Sequence, residues 1–159
     1  MKRAKKLGLT VALDLSNFNI VNGFKELLKE VITAYVDILF SNESEAEAYT
    51  GLLAHEAINV ISKDVGISVV TIGKDGVLAK NKDRLIHDMA LSSNVVDTTG
   101  AGDNFAAGFL FGYLRGATLE KSARIGSILS GNVIETVGAQ IPDERWLQIK
   151  LKVDEVLRK

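Results

Sequence analysis

Cysteine is absent from the 159 residues, which removes a disulfide framework and a thiolate metal site together and fits a reducing cytoplasm. A membrane-spanning run is also missing. The longest apolar stretch, FAAGFLFGYL (105–114), is well short of the roughly 20 residues a span needs. The basic start MKRAKKLGLT imitates a signal peptide, but Asp14 interrupts the apolar stretch that follows, so no targeting segment is read. Excess charge of either sign is lacking. A net charge of −1 and a pI near 6.1 give no electrostatic case for nucleic acid or an anionic membrane as partner. There is no repeat, low-complexity tract or linker.

What is present suffices for one real core: 47% of the residues are hydrophobic against 25% charged, and the length suits about one domain. Strand and helix patterns alternate. LGLTVALDL (7–15) reads as a buried parallel strand. Phe24, Leu27, Leu28, Val31, Ile32 and Tyr35 fall on one helical stripe. VDILF (36–40) predicts a second strand, and SNESEAEAY opens a helix with a serine or asparagine cap and an acidic first turn. An amphipathic helix over about 52–64 leads to a strand at ISVVTIG (67–73), then a KDG turn, GVLAK and RLIHDM as an antiparallel meander. Helices are expected over about 102–115, 118–137 and 143–158. This alternation predicts a single α/β domain with a mostly parallel sheet.

The stretch VVDTTGAGDNFAAGFLFGYLRG (95–116) places glycines at the mouth of an apolar helix, where each interior glycine costs about 0.8–1.0 kcal/mol relative to alanine. Two readings account for them. At a helix mouth the first N–H groups lack intrahelical partners and the macrodipole favours negative charge, so glycine would let an anion approach the backbone. Alternatively, Asp97 and Asp103 simply cap a buried helix whose glycines serve close packing. Spacing and composition leave both open. A dinucleotide fingerprint fails because Phe105 occupies the third glycine position, and no Gly-Lys-Ser/Thr run supports a P-loop.

DTTGAGDNFAAGF resembles the C-terminal signature of the ribokinase-like, or PfkB, carbohydrate and nucleoside kinases. Three further stretches stand in that family's order: Asn42 and Glu45 in SNESE match its N-x-x-E motif, Thr71, Gly73 and Gly76 in TIGKDG its T-x-G-x-x-G nucleotide loop, and VGAQIP (137–142) its terminal GA segment. The resemblance covers nearly the whole chain. It implies a three-layer ribokinase-like, Rossmann-like fold with a mostly parallel sheet and flanking helices, truncated at the N-terminus. It also implies ATP-dependent phosphoryl transfer to a hydroxyl of a sugar or nucleoside. Positioning and charge stabilisation do most of the work in such chemistry. Backbone N–H groups over Gly100, Ala101, Gly102 and Asp103 would form the anion hole. Asp103 would be the catalytic base, mainly orienting the hydroxyl because a carboxylate is a feeble base toward it. Asn42 and Glu45 would act through Mg²⁺ and its waters. Thr71, Gly73 and Gly76 would border ATP. In many relatives the positions of Asp97 and Thr99, with carbonyls near Val133, Thr136 and Gly138, bind a monovalent cation such as K⁺; Pro142 stands where some of them offer a serine.

Complete members of that family are roughly twice as long, with a lid and most substrate-binding residues in their N-terminal half. The resemblance therefore implies residues 1–159 as the C-terminal, ATP-binding half, its partner being the missing N-terminal half or further copies of itself. The alternative is a nucleotide-binding remnant without turnover. DLSNFN (14–19) leans toward the adenosine-kinase-like branch. His55 and His87 are expected at the surface or in structural roles, and Trp146 in core packing.

Overall fold

β2 (Ile38–Asn42) and β3 (Ile67–Thr71) read ILFSN and ISVVT, and Ile38, Leu39, Phe40, Val69 and Val70 are all buried. Mostly apolar strands buried at successive positions, with Ser41 and Ser68 buried among them, are what a parallel strand covered on both faces requires. β1 (Ala12–Asp14) pairs in parallel with β2, Ala12 opposite Ile38 and Asp14 opposite Phe40. β2 pairs in parallel with β3, Ile38 opposite Ile67 and Asn42 opposite Thr71. β4 (Val77–Asn81) and β5 (Leu85–Asp88) complete a sheet ordered β1-β2-β3-β4-β5. The links into β4 and β5 are far shorter than the dozen or so residues of a parallel crossover, so these neighbours run antiparallel. Asn81 N–H donates to the Arg84 carbonyl at 3.1 Å across the second link.

The computed structural model describes residues 1–82, 84–91 and 94–158. Their contacts divide the chain into two compact units, Met1–Gly73 with Leu78–His87, and Lys74–Val77 with Asp88–Lys159.

In the first unit, α2 (Phe18–Gly23), α3 (Lys25–Tyr35), α4 (Glu43–Thr50) and α5 (Ala54–Ile61) flank the sheet. Val21, Ile32, Ala46 and Ile58 from these helices share a core with Leu39 and Val70 of the strands. The first strand is shorter than its apolar run predicts. α1 (Lys2–Lys6) is followed by Gly8 in the left-handed region at φ 72°, and Leu7 and Leu9 remain 68% and 54% exposed. The chain reaches the sheet only where Asp37 gathers it: its carboxylate accepts the Val11 N–H at 2.8 Å and the Lys5 ammonium at 2.6 Å. The predicted helical stripe is also only partly a core face. Ile32 is fully buried, but Phe24 and Leu27 are exposed, and Phe24 lies in the junction between α3 and α2, which Asn17 caps by accepting the Asn19 N–H at 2.7 Å.

In the second unit, α6 (Ala101–Leu114) packs closely on α7 (Leu119–Val133). A β-carbon on Gly108 would stand 2.8 Å from the Ile125 carbonyl oxygen, and one on Gly126 would stand 2.8 Å from the Phe105 ring. Gly108, Gly112 and Gly126 therefore answer to helix–helix approach. α7 stops at Val133, short of the expected 137, where Thr136 turns its hydroxyl back onto the Val133 carbonyl at 2.9 Å. α8 (Trp146–Arg158) adds Ile149 and Val153 to a core with Ile125, Ile128 and Val133, against which Trp146 packs half-buried as expected. Among the described residues no helix is long and apolar enough to cross a membrane.

Candidate functional site

In the first unit the polar residues collect where the parallel strands end. β1 ends on Asp14, β2 on Asn42 and β3 on Thr71, the last two in register with each other; ligands of open α/β sheets bind outside this carboxyl edge. The order Asn-Glu-Ser-Glu turns β2 directly into α4. The Asn42 side chain accepts the Glu45 N–H at 3.0 Å, and Glu45 Oε2 accepts the Asn42 N–H at 2.9 Å. This reciprocal capping box satisfies two of the helix's orphan donors. Asn42 Nδ2 also donates to Glu45 Oε1 at 2.8 Å.

Glu45 is only 4% exposed. Burial pushes its carboxyl above the usual carboxylate range, hydrogen bonding from Asn42 partly opposes this, and repulsion from Asp14 adds to the rise. A buried carboxylate whose ionisation a neighbouring acid disfavours is an oxygen donor that a hard divalent cation would favour in its charged form. Both Glu45 oxygens are already engaged by Asn42, which suits contact through metal-bound water. Thr71 Oγ1 donates to the Ser41 carbonyl at 3.4 Å, and Gly73 follows with φ 53°.

In the second unit the glycine mouth lies between two fastened loops. Asp97 Oδ1 accepts both the Thr99 N–H at 2.9 Å and its hydroxyl at 2.7 Å, and Oδ2 accepts the Gly138 N–H at 2.8 Å. The Thr99 hydroxyl first, then the Gly138 and Thr99 amides, hold the Asp97 carboxyl below its ordinary range. Gly100 is the N-cap of α6 with φ 75° and offers no side-chain cap. The Ala101 N–H turns back to Thr98, and the Asn104 N–H to Gly100 at 2.9 Å. The N–H groups of Gly100, Gly102 and Asp103 have no partner among the described residues. Asp103, in the first turn, is exposed.

The glycines of this region now separate. A β-carbon at Gly100 would stand 2.5 Å from the Ala139 β-carbon, so chain packing and a left-handed backbone require glycine there. At Gly102 a β-carbon meets nothing within 4 Å, and no positive φ calls for glycine. Among the described residues no close approach therefore requires this glycine, which costs about 1 kcal/mol in a helix interior, and the space in front of it is open. Gly76 is of the first kind: its β-carbon would meet the Asp88 carbonyl oxygen at 2.1 Å.

The first unit thus gathers Asn42, Glu45 and Thr71 at one sheet edge, with Gly73 just beyond; the second gathers Asp97, Thr99, Gly100, Ala101, Gly102 and Asp103 at one helix mouth. Sequence reasoning did not single out Asp14 or Asn104. A polar residue closing a parallel strand was the available signal for Asp14; Asn104 carried none. His55 and His87 are both exposed, their rings edge to face 6.0 Å apart. Among the described residues no group of three or more His, Cys, Asp or Glu is arranged to hold a metal.

Comparison with known proteins adds an independent line. A family model described as pfkB family carbohydrate kinase matches residues 1–146. The chain is similar to an ATP-dependent 6-phosphofructokinase of Thermoanaerobacterium thermosaccharolyticum, 40% identical over 125 residues that make up 75% of this chain and 38% of that protein. Its structure is similar to a probable sugar kinase of Rhizobium etli, with a TM-score of 0.89 and 30% identity over 95% of this chain and 47% of the other. It is similar also to an adenosine kinase of Sinorhizobium meliloti, with a TM-score of 0.87 and 30% identity over 97% and 47%. The chain spans less than half the length of each of these three proteins.

Proposed function

The chain belongs to the pfkB family of carbohydrate kinases, and on that premise we propose that it is the C-terminal, ATP-binding half of a kinase that phosphorylates a hydroxyl of a sugar or nucleoside in the cytoplasm. The observation that carries this reading is the cradle at Gly102: open space around any β-carbon there, beside N–H groups of Gly100, Gly102 and Asp103 that have no partner among the described residues. Unsatisfied donors at the positive end of a helix stabilise an anion, and here they face charge on the migrating phosphoryl group. Asp103, exposed in the same turn, orients the acceptor hydroxyl and accepts its proton as the bond to phosphorus forms.

Asn42 and Glu45 hold Mg²⁺ through its waters, and Thr71 and Gly73 border the nucleotide. Mg²⁺, when bound, supplies charge neutralisation for the phosphates. The capping box fixes the Glu45 carboxylate before any ligand arrives, so little ordering cost is left to binding. Asp97 and Thr99 act as fasteners between loops. The Asp97 carboxylate already takes three donors, and the Val133 carbonyl takes both the amide and hydroxyl of Thr136, so no step is routed through a monovalent cation. Acceptor-binding groups are assigned to the part of such a kinase that this chain does not span, supplied by an N-terminal half or, failing that, by association of copies.

The test joins binding to turnover. Calorimetric titration of the chain with MgATP should give saturable binding. Within a reconstituted full-length kinase carrying this segment, Asp103→Asn should lower kcat at least about 100-fold, the low end for a positioned acid or base, with MgATP affinity nearly intact. An unchanged kcat would remove Asp103 from the chemistry, and absent MgATP binding would remove the reading as a whole.

A further inference from the structure

Asn104 follows the proposed catalytic aspartate, yet its side chain turns away from solvent toward the backbone. Its Nδ2 donates to the Gly100 carbonyl at 2.9 Å and to the Ala139 carbonyl at 3.2 Å. The same Gly100 carbonyl accepts the Asn104 backbone N–H at 2.9 Å. One amide nitrogen thus joins the cap of α6 to a carbonyl 35 residues on from Asn104 in sequence, at the point where Gly100 and Ala139 lie too close for any β-carbon on residue 100.

We propose that Asn104 is a positioning residue for the anion hole: its amide fastens the Gly138–Ala139 segment to the helix mouth and so sets the direction of the N–H groups of Gly100, Gly102 and Asp103. The inference rests on the phosphoryl-site reading above. Two carbonyl oxygens converging on one nitrogen repel each other once its donors are gone, and although the Gly100 carbonyl keeps the Asn104 backbone N–H, the pair then adds negative potential beside a site that must take an anion. Asp97 holds the other side of the same junction through the Gly138 N–H, so losing Asn104 loosens one fastening and leaves the helix itself in place. Aspartate has the shape without the donors, alanine lacks the amide altogether, and serine has a single donor on a shorter arm.

The experiment compares wild type, Asn104→Asp and Asn104→Ala as ¹⁵N-labelled chains titrated with MgATP, well below their melting temperatures. In wild type the amide resonances of Gly100, Gly102 and Asp103 should move together as the site fills. In Asn104→Asp the affinity should fall at least about tenfold and those three shifts should shrink, while shifts at Asn42 and Glu45 persist; Asn104→Ala should follow in the same direction, and it decides the matter if the aspartate variant does not fold. A merely structural role would lower the melting temperature and leave the affinity of the folded protein unchanged. Equal affinity and equal shifts in folded variants would overturn the inference and leave the proposed function standing. Absence of any MgATP response in wild type would overturn the proposed function, and the inference with it.

Discussion

At Gly102 a β-carbon has open space, and at Gly100, two residues earlier, it has none; the same substitution at the two positions should therefore have opposite consequences. Gly102→Ala should fold normally and gain up to about 1 kcal/mol, since alanine is the better helix former, while MgATP binding weakens because the methyl occupies the cradle. Gly100→Ala should lose about 1–2 kcal/mol for the left-handed backbone alone, with the clash on Ala139 added. Urea melts with titrations of the same samples check both, and a Gly102→Ala protein that binds as wild type would make that glycine incidental. Glu45 makes a pH prediction. Its carboxyl is raised in the folded state, by burial first, so the folded chain binds that proton more tightly than the unfolded one. Its contribution to stability is therefore present at acid pH and is lost as pH rises through the folded-state value, above the ordinary carboxylate range. Glu45→Gln should flatten this fall in melting temperature between mildly acid and neutral pH, and Mg²⁺ should offset it in wild type alone. Identical profiles for the two proteins would refute the assignment.

The elements that carry these residues are held by short-range devices. α4 begins where Asn42 and Glu45 cap each other, so the residues proposed to meet Mg²⁺ are also the start signal of their helix. α6 is held by its approach to α7, with Gly126 admitting the Phe105 ring. Phe105 lies two positions beyond Asp103, so packing at this crossing bears on the mouth. Gly126→Ala should cost about 1–3 kcal/mol by overpacking and should weaken MgATP binding as Phe105 is displaced. Thermal melts and titration would measure the two effects together, and full stability with full binding would show the crossing to be tolerant.

At the scale of the molecule, β1 ends the sheet and has a paired neighbour on one side only among the described residues. Leu7, Leu9, Phe18, Ile20, Phe24 and Leu27 remain exposed in the same stretch of chain. An edge strand and exposed apolar side chains are features that stable monomers normally cover. The isolated chain is therefore expected to self-associate at tens of micromolar in sedimentation velocity, and adding a complementary N-terminal half should compete with that association. A monomer at all concentrations would show that the exposed side chains are carried without a partner.

Local pattern was enough to determine the alternation of strand and helix, a serine or asparagine cap at the start of α4, the buried character of β2 and β3, and the glycine mouth with Asp103 in its first turn. All of these depend on residues within a turn or a strand of one another, where periodicity and capping chemistry act. Tertiary structure alone decided which glycine is spare and which is required, because that depends on Ala139 meeting Gly100 and on Asp88 meeting Gly76. It also decided that the first strand starts only at Ala12, where Asp37 collects the chain, that Asn42 is the residue that caps α4, and that Phe24 and Leu27 of the apolar stripe stay exposed. Asn104 was silent in the sequence for the same reason: its partner carbonyl belongs to Ala139, and hydrogen bonds between distant segments leave no periodic trace along the chain.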